Sequence, residues 1–553
     1  MLKFKKVLAV LAAVAILVPA AAAYAAEDGF TSTYTYNYDS WGEIRESPDA
    51  YRVEEVIYST NLGLETAMRS PRSLYVRDRN LYIVDTGNNR ILQLTRTGTR
   101  FDLTRIIDRV TISADKMEEF MSQSDLMKNE DGSFLTDEEG CFYLKPPAGS
   151  STERGPMILN SEGVTFFNNP NDVSVDEDDN IYVADRDNNR VIKMNRDLEF
   201  IQLFVKPTDS TFDQSQSFLP NKLVVDTSGR VFVLASNINK GLVKFEADAV
   251  FSGFIGANPV VYDIWNYIWK TYFMTKEQRS QQAAFVPTEY QNIYIDNEGF
   301  IYATNTSFKE WDLLYDNAKP IRRINAVGSD ILIKNDRYPP IGDLDWVDSS
   351  IDHGPSKLYD ITVLDNDMYV VIDQTRGRVF GYDPQGIMLW AFGTSGVPSE
   401  GAFTRANSIE HMGKDLLVLD ELDCSVTVFT PTEYGNLIYE ASEQYLQGDY
   451  DGSAGTWEKV LQLNANYNLA FIGIGRSKMR AEEYEEAMDL FKMAHDRDNY
   501  GRAFRYYRKI WVEKNIWWVV LIIALLVVVS FIRKTVRKAK WEVAAYEHSK
   551  VHK

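Results

Sequence analysis

Short runs of alternating apolar and polar residues dominate the chain from about residue 50 to residue 430. Two of them are nearly the same although they lie 100 residues apart: Leu81–Arg90 reads LYIVDTGNNR, and Ile181–Arg190 reads IYVADRDNNR. In each run a period-two strand pattern ends in Asp, and Asn-Asn-Arg closes the turn before the next apolar run. Repetition of one small unit predicts a repeat architecture.

Six copies of this unit can be aligned on the position that ends the strand. That position holds Asp85, Asp185, Ala235, Asn305, Asp373 and Asp420. Twelve residues upstream an apolar strand leads into a polar turn, as at Val173–Asp176. Small antiparallel sheets repeated around a channel form a β-propeller, so we predict an all-β six-bladed β-propeller over residues 51–432. A seventh blade within residues 105–165 is the alternative. The strand at Arg52–Tyr58 is expected to complete the last blade.

The best-formed copy resembles a known repeat. Pro170–Asp176, Ile181–Asp185 and Asn188–Val191 together are similar to the NHL repeat, which is named for an Asn-His-Leu signature. Here the signature reads Asn171-Asp172-Val173, so the His is missing, and the third, fourth and sixth copies are degenerate. The NHL family includes binding scaffolds, lyases and lactonase-like proteins. The resemblance therefore implies a fold and leaves several functions open.

The pattern changes to helical spacing after Pro431. Residues of matching type recur 34 positions apart, namely Tyr450 and Tyr484, Trp457 and Phe491, and Val460 and Ala494. This spacing resembles the tetratricopeptide repeat, which is a helix pair of about 34 residues. We predict an all-α, tetratricopeptide-like segment over residues 433–500 and a juxtamembrane helix over residues 501–515.

The two ends of the chain predict its localisation. Lysines followed by the apolar stretch Val7–Val18 and small residues near Ala25 predict a signal peptide over 1–26, followed by an N-terminal extension over 27–50. An uncleaved N-terminal anchor is the alternative. Residues 516–532 carry no charge and are long enough for a transmembrane helix. A basic tail, 533–553, follows and is expected in the cytoplasm. The chain is thus predicted to be a single-pass cell-membrane protein with its N-terminal part outside.

Charge narrows the set of partners. Without the charged residues of the two ends, 49 basic residues stand against 77 acidic ones, a net charge near −28. Such a domain is a poor ligand for nucleic acid or anionic lipid, although the acidity also keeps an exported domain soluble. Cys141 and Cys424 are the two cysteines. They either form a disulfide, which an exported compartment permits, or remain free.

Candidate chemistry is sparse. A lyase of the NHL class would need channel histidines to bind zinc, but the propeller region holds only His353 and His411. Lactonase-like relatives use oxygen ligands around calcium, and polar residues near the start of each inner strand could supply them at the channel mouth. These candidates are Arg72, Asp172, Lys222, Asn292, Asp360 and Asn407. Alternatively, the same side chains cap strand ends.

Two groups of aromatic residues are candidates for partner docking. The insertion at Val261–Phe273 has helical spacing, and its Trp265, Trp269 and Tyr272 lie on an aromatic-rich face that either packs on a blade or contacts a partner. In the helical segment, the candidates are Tyr450, Trp457 and Tyr484. This segment is interpreted either as a docking surface or as a spacer.

No motif in the sequence selects a nucleophile, a phosphate site or a zinc site. We therefore expect a non-enzymatic, membrane-tethered scaffold that binds protein partners or a surface glycan or peptide and needs no cofactor. The layout also resembles single-pass propeller proteins of Gram-positive bacteria that occur beside transporter components, which implies an envelope or transporter complex. The alternative is a calcium-dependent, lactonase-like hydrolase.

Overall fold

The alternating segments form small antiparallel sheets. The computed structural model describes residues 35–39, 41–146, 152–212, 214, 217–236, 238, 240–256, 290–308, 312–313, 318–334, 339–344, 355–396 and 401–551. The chain divides into two compact units, one of residues 1–38 and 44–436 and one of residues 39–43 and 437–553. The predicted signal peptide and the insertion with Trp265, Trp269 and Tyr272 lie outside the described residues.

Three strands precede the first complete sheet: β1 (Tyr36–Tyr38), β2 (Ile44–Glu46) and β3 (Tyr51–Ile57). Sheet I then consists of β4 (Ser73–Arg77), β5 (Asn80–Asp85), β6 (Arg90–Thr97) and β7 (Arg100–Ile107). An insertion follows, with β8 (Arg109–Thr111), α1 (Met117–Gln123), β9 (Phe142–Tyr143), β10 (Met157–Leu159) and β11 (Val164–Phe166).

Sheets II to IV continue the series. Sheet II consists of β12 (Pro170–Val175), β13 (Ile181–Asp185), β14 (Arg190–Met194) and β15 (Phe200–Val205). Sheet III consists of β16 (Leu219–Val225), β17 (Val231–Ser236), β18 (Leu242–Phe245) and β19 (Phe251–Ile255). Sheet IV consists of β20 (Asn292–Ile295), β21 (Ile301–Thr304) and β22 (Ile321–Ile324).

Sheets V and VI each recruit strands from the N-terminal part. Sheet V consists of β23 (Leu358–Val363), β24 (Tyr369–Asp373), β25 (Arg378–Tyr382) and β26 (Met388–Phe392), with β1 and β2 added at its outer edge. A short parallel pair follows, β27 (Thr394–Ser395) and β28 (Ala402–Phe403). Sheet VI consists of β29 (Ala406–Met412), β30 (Asp415–Asp420) and β31 (Ser425–Pro431), with β3 as its outer strand.

The first strands of the six sheets make contact in a closed cycle. In the described part of the chain β4 contacts β12, and the contacts continue through β16, β20, β23 and β29 back to β4. This arrangement is a β-propeller. The insertion between sheets I and II does form a four-stranded sheet, in the order β8-β11-β10-β9. Because β4 contacts β12 directly, that sheet lies outside the cycle and is not a seventh member of it.

The predicted latch is confirmed. Tyr51–Ile57 pairs antiparallel with β31, so an N-terminal strand completes the sheet that contains the C-terminal strands. Tyr51 is fully buried; its ring contacts Trp390 and Phe392, and its hydroxyl donates to the carbonyl of Lys414 at 3.1 Å.

The turn between the first and second strands of a sheet repeats one device. Asp176, Asp226 and Asp296 each accept backbone N–H groups from the residues two and four positions later. The residue three positions on then adopts a left-handed conformation, with φ 76° at Gly229 and 83° at Gly299. These Asx turns fix the strand register locally. Pairs of apolar sheet faces between neighbouring members of the cycle form separate buried clusters.

The second unit is helical. It contains α2 (Glu433–Gln447, which begins in the first unit), α3 (Tyr450–Leu463), α4 (Asn468–Arg480), α5 (Tyr484–Met493) and α6 (Arg497–Val551). Tyr450 and Tyr484, 34 positions apart, both begin a helix, and the pair Trp457 and Phe491 is buried. Neighbouring helices from α3 to α6 pack in sequence, as expected for helical hairpins.

The predicted juxtamembrane helix, transmembrane helix and tail are parts of one continuous helix. The 55 residues of α6 span about 82 Å at 1.5 Å per residue. No Gly or Pro follows Gly501, so nothing in the sequence interrupts the helix. Among the described helices, α6 is the one long and apolar enough to cross a membrane, and none of its apolar window is buried.

Gly381 generates a stability prediction. It lies directly opposite Trp390 in the β25–β26 pairing, and a Cβ at Gly381 would overlap the fully buried indole ring. We expect Gly381→Ala to lower the free energy of unfolding by about 1–3 kcal/mol through overpacking. Thermal unfolding of the detergent-solubilised protein measures it. Gly501→Ala, in open space on α6, is the matched control and should be neutral or stabilising; equal effects of the two changes would contradict the packing argument.

Candidate functional site

The first strands of the six sheets enclose a cavity of about 780 Å³ on the propeller axis. This volume lies within the range of small-molecule sites. Because side chains of a strand alternate, every second residue of each first strand faces the cavity. The facing positions form three successive layers, which we call the ring layer, the middle layer and the mouth layer.

The ring layer is defined by strand register. In each sheet its member pairs with the residue just before the strand-terminal Asp position; the six members are Ser73, Asp172, Lys222, Asn292, Asp360 and Ser408. All six are buried and line the cavity. Four of the six sequence candidates, Asp172, Lys222, Asn292 and Asp360, are therefore brought together by the fold.

Arg72 and Asn407 do not line this cavity, so the predicted ring needs correction at two positions. Arg72 is exposed and immediately precedes Ser73. Asn407 is buried and donates from Nδ2 to the carbonyl of Arg72 at 3.0 Å. The register of β29 shifts between Ala406 and Ser408, so Asn407 is the extra residue of a β-bulge. Successive side chains of a strand point to opposite faces, so the next residue along the strand is the one that faces the cavity. In the ring layer, Ser73 therefore replaces Arg72 and Ser408 replaces Asn407.

The ring carboxylates hold neighbouring sheets together. Asp172 accepts from Ser73 Oγ at 2.5 Å and from the Leu223 backbone N–H at 2.8 Å, which joins sheet II to sheets I and III. Its Oδ1 is 3.7 Å from Lys222 Nζ, and Lys222 also donates to Ser73 Oγ at 2.8 Å. Burial raises the pKa of the Asp172 carboxyl, and the Lys222 charge opposes that rise.

Asp360 makes the corresponding contacts between sheets V and VI. It accepts from Ser408 Oγ at 2.7 Å and from the backbone N–H groups of Ile409 at 2.8 Å and Ile361 at 2.7 Å. Burial raises the pKa of this carboxyl too, against the lowering effect of Lys222. Both ring carboxylates thus have their oxygens occupied by protein donors, as expected of strand-end caps.

The middle layer holds groups that the sequence analysis did not single out. Glu410 is buried in the cavity wall, and it accepts from Thr362 Oγ1 at 3.4 Å. Thr362 Oγ1 is also 2.7 Å from His411 Nδ1. Burial is the main cause that raises the pKa of Glu410 well above its usual range, and the charges of Asp360 and Asp172 add to it. Burial lowers the pKa of His411, so its imidazole is neutral near pH 7.

The period-two alternation of strand side chains is a signal that predicts Glu410 in the cavity wall. It follows the ring residue Ser408 by two positions and must face the same side of β29. Tyr75 and Tyr294 occupy the same layer in sheets I and IV. Their hydroxyls donate to the carbonyls of Val175 at 2.9 Å and Val363 at 3.3 Å, so they too bridge neighbouring sheets.

The mouth layer is acidic but internally paired. Asp226 accepts from Arg230 Nε at 2.6 Å and Asp296 from Arg323 at 2.9 Å, while Asp176 lies 3.5 Å from Lys193 Nζ. Together with their Asx-turn bonds, these contacts give the three carboxylates structural roles.

The strand-terminal Asp residues are also structural. Asp185 accepts from Arg190 Nε at 2.8 Å, from Asn188 Nδ2 at 2.8 Å and from the Asn168 backbone N–H at 2.8 Å. Asp85 and Arg90 repeat this pair at 2.7 Å. Sheet V departs from it, because Asp373 accepts from Ser356 Oγ at 2.6 Å. There Arg378, which corresponds to Arg90 and Arg190, lies 3.6 Å from Asp343.

Metal and disulfide sites receive little support. Within the described residues, no group of three or more His, Cys, Asp or Glu side chains could hold a metal ion. His353 lies outside those residues. Cys141 and Cys424 are both free, so the disulfide that the sequence allowed is not formed.

The docking candidates of the helical unit are engaged within it. Trp457 is 5% exposed and stacks on Tyr467 with ring centroids 6.0 Å apart, and Gly473 leaves room for its indole. It is a core residue, which corrects its assignment to a docking surface. Tyr450 and Tyr484 are half-buried; Tyr450 contacts Tyr445, and Tyr484 stacks on Tyr506.

Comparison with known proteins supports the repeat assignment. Residues 167–194, which contain β12, β13 and the Asp185–Arg190 pair, match the NHL repeat model. The resemblance noted in the sequence is thereby confirmed for this segment. No curated protein sequence matches the chain.

Solved structures similar to this chain share little sequence with it. Virginiamycin B lyase from Staphylococcus aureus is 10% identical, with 69% of this chain and 99% of the lyase covered and a TM-score of 0.35. A putative gluconolactonase is 10% identical to this chain, with 70% of this chain and 94% of the gluconolactonase covered and a TM-score of 0.34. Kuenenia stuttgartiensis hydrazine synthase is 11% identical, at 67% and 97% coverage and a TM-score of 0.35. TM-scores this low carry nothing about activity.

Asp172 provides a test of the structural role of the ring layer. Asp172→Ala leaves Leu223 N–H and Lys222 without their buried acceptor, so we expect the free energy of unfolding to fall by about 3 kcal/mol. Urea unfolding measures the change, and Asp178→Ala on the exposed turn is the matched control. If the wild-type unfolding midpoint moved on addition of calcium, and Asp172→Ala abolished that shift, the carboxylate would be a metal ligand instead.

Glu410 provides a pH prediction. Its pKa is raised in the folded protein, so the stability linked to its protonation is complete below the ordinary Glu pKa of about 4.3. That stability is lost as the pH rises through the raised value. Glu410→Gln retains the neutral form, so we expect it to raise stability at neutral pH and to weaken the fall between acid and neutral pH. Urea midpoints of both proteins at about pH 5 and about pH 8 measure this.

The exposed cavity residue Glu177 supplies the control, as Glu177→Gln should leave the pH dependence of the midpoint unchanged. An unchanged slope in Glu410→Gln would show that Glu410 is ionised in the folded protein.

Proposed function

Because the chain carries an NHL repeat within a β-propeller and ends in a helix long and apolar enough to cross a membrane, we propose that it is a membrane-tethered binding and scaffold protein. In this proposal residues 516–532 cross the cell membrane once. The propeller and the helical repeats lie on the extracytoplasmic side, and residues 533–553 form the cytoplasmic tail. The protein holds protein partners, or a surface glycan or peptide, at the membrane without catalysing a reaction.

The hydrogen bonds of the ring carboxylates Asp172 and Asp360 support binding over catalysis. A carboxylate that acts as a base or binds a metal must present a free oxygen to the substrate or ion. Asp172 and Asp360 instead accept backbone N–H and serine hydroxyl groups from adjacent sheets. Their positions are explained by the need to join the sheets.

The partners proposed are proteins of the envelope, including components of a membrane transporter. Helical repeats present a rigid outer surface, and α5 and the turn before it expose carboxylates that the core of the repeats does not use: Glu482, Glu485 and Asp489. A partner with a basic face would complement these carboxylates.

In-cell crosslinking of the tagged full-length protein, followed by mass spectrometry of the membrane fraction, tests the scaffold function. We expect reproducible partners whose yield falls by about tenfold, corresponding to about 1.4 kcal/mol, in the double variant Glu485→Lys and Asp489→Lys. Both side chains are exposed, so the variant should fold. The matched control is Glu177→Lys with Asp178→Lys, which makes the same charge change on a propeller turn.

A second variant lacking Tyr450–Met493 removes the repeats altogether. Recovery of the same proteins from all variants and from untagged cells would refute the scaffold function. A partner lost only in the propeller control would move the docking surface to the propeller.

A further inference from the structure

The first part of α6 carries a cluster of exposed basic residues directly before the apolar segment. We call it the basic collar; its members are Arg502, Arg505, Arg508, Lys509 and Lys514, all of them exposed. The first four are three or four positions apart or adjacent, so they lie on one side of the helix. The opposite side packs inward, where Ala503 is fully buried with Ala487 and Phe491.

In the part of the helical unit that the structure describes, the arginines of the collar have no carboxylate partner. Helix α5 packs beside α6, and five carboxylates lie on α5 or on the two residues before it, yet none of them lies within ion-pair distance of Arg502, Arg505 or Arg508. Two of those carboxylates, Glu483 and Glu486, pair with Lys478 on α4. Within residues 437–548, the one collar residue near a carboxylate is Lys509, 4.0 Å from Glu513. The collar therefore keeps its charge available in solvent.

Exposed aromatic side chains are interspersed with the collar. Trp511 is 49% exposed, and Trp517 and Trp518 follow at the start of the apolar segment. Basic side chains combined with Trp at the end of an apolar helix are typical of the membrane–water interface. The surface thus has the two chemical features that a lipid headgroup layer selects.

We propose that the basic collar binds the anionic phosphate headgroups of the membrane in which α6 is anchored. This inference rests on the membrane anchoring proposed above. It assigns a lipid partner to the basic collar, which the scaffold function does not use. The region outside the ends is strongly acidic as a whole, but residues 502–514 hold five basic residues and one acidic residue, and lipid binding depends on that local charge.

Membrane insertion alone does not account for the collar. The positive-inside rule assigns an orientation from an excess of Lys and Arg on one flank. Here the other flank is equally basic, with Arg533, Lys534, Arg537, Lys538 and Lys540. A second basic flank adds nothing to that excess, whereas headgroup binding gives it a physical role.

The helix geometry orders the collar residues by their distance from the bilayer. At 1.5 Å per residue, Lys514 lies about 3 Å before Ile516, Lys509 and Arg508 about 11–12 Å, and Arg505 and Arg502 about 17–21 Å. The headgroup layer on each side is about 5–8 Å thick, and long basic side chains extend toward it. The contribution to lipid binding should therefore decrease from Lys514 to Arg502.

The test uses full-length protein reconstituted in phosphatidylcholine vesicles that contain phosphatidylglycerol. Spin-labelled forms of the two lipids report, from their motionally restricted fractions, how strongly the protein prefers the anionic lipid. The proximal variant combines Arg508→Gln, Lys509→Gln and Lys514→Gln, and the distal variant combines Arg502→Gln and Arg505→Gln. The matched control combines Arg52→Gln, Arg100→Gln and Arg196→Gln, three exposed arginines of the propeller.

We expect a preference for phosphatidylglycerol that weakens with added salt and falls in the proximal variant, by up to about fivefold for each residue replaced. The distal variant should lose less, and the control should match the wild type. An unchanged preference in the proximal variant would overturn the proposal. An equal loss in the control would overturn it too, since it would show a bulk charge effect.

Anchoring is measured separately, by flotation of the wild type with pure phosphatidylcholine vesicles after an alkaline carbonate wash. Flotation without a preference for phosphatidylglycerol would refute the collar proposal and leave the anchor in place. Failure to float would refute the anchor itself. An equal loss in the proximal and distal variants would contradict headgroup binding, because the distal residues lie beyond the thickness of the headgroup layer.

Discussion

The pairing of β3 with β31 is the interaction on which the propeller depends. A cycle of sheets has no intrinsic join, because each first strand only packs against its neighbours. In this chain a strand from before sheet I completes sheet VI, so the two ends of the propeller sequence share one hydrogen-bonded sheet. Tyr51 anchors that strand against Trp390 and Phe392 of sheet V. Opening the ring therefore requires the loss of a full strand ladder together with an aromatic cluster.

In the ring layer, buried carboxylates connect neighbouring sheets and fix their relative positions, which apolar contacts alone do not specify. An Asp that accepts a backbone N–H from the next sheet fixes how far the two sheets can slide. Asp172 and Asp360 have this role on opposite parts of the cavity wall, and Lys222 supplies the cation that makes two buried carboxylates tolerable. The charged side chains of the ring layer thus serve mainly to join neighbouring sheets. Glu410, which lacks backbone donors of this kind from other strands, is the exception.

Local sequence signals accounted for most of the fold. The period-two pattern and the Asx-turn residues specify strands and turns over a few neighbours, and the 34-residue spacing relates Tyr450 to Tyr484, each of which begins a helix in the structure. Register was harder to predict. In sheets I and VI the ring residue lies 11 positions before its partner on the second strand, whereas in the other four sheets it lies 12 positions before, so a constant spacing selected Arg72 and Asn407 instead of Ser73 and Ser408. Trp457 was misassigned because an aromatic at a repeat position serves equally well in a core.

The continuity of α6 has a mechanical consequence. Its first turns pack against α5, and its middle is the apolar segment, with no flexible joint between the two regions. A stiff helix transmits rotation about its axis as well as tilt, whereas a flexible linker transmits neither. A twist applied to the apolar segment would reach the repeat helices as a displacement of the surface they present. A continuous α6 would therefore couple rotation of the apolar segment to the orientation of the repeat helices.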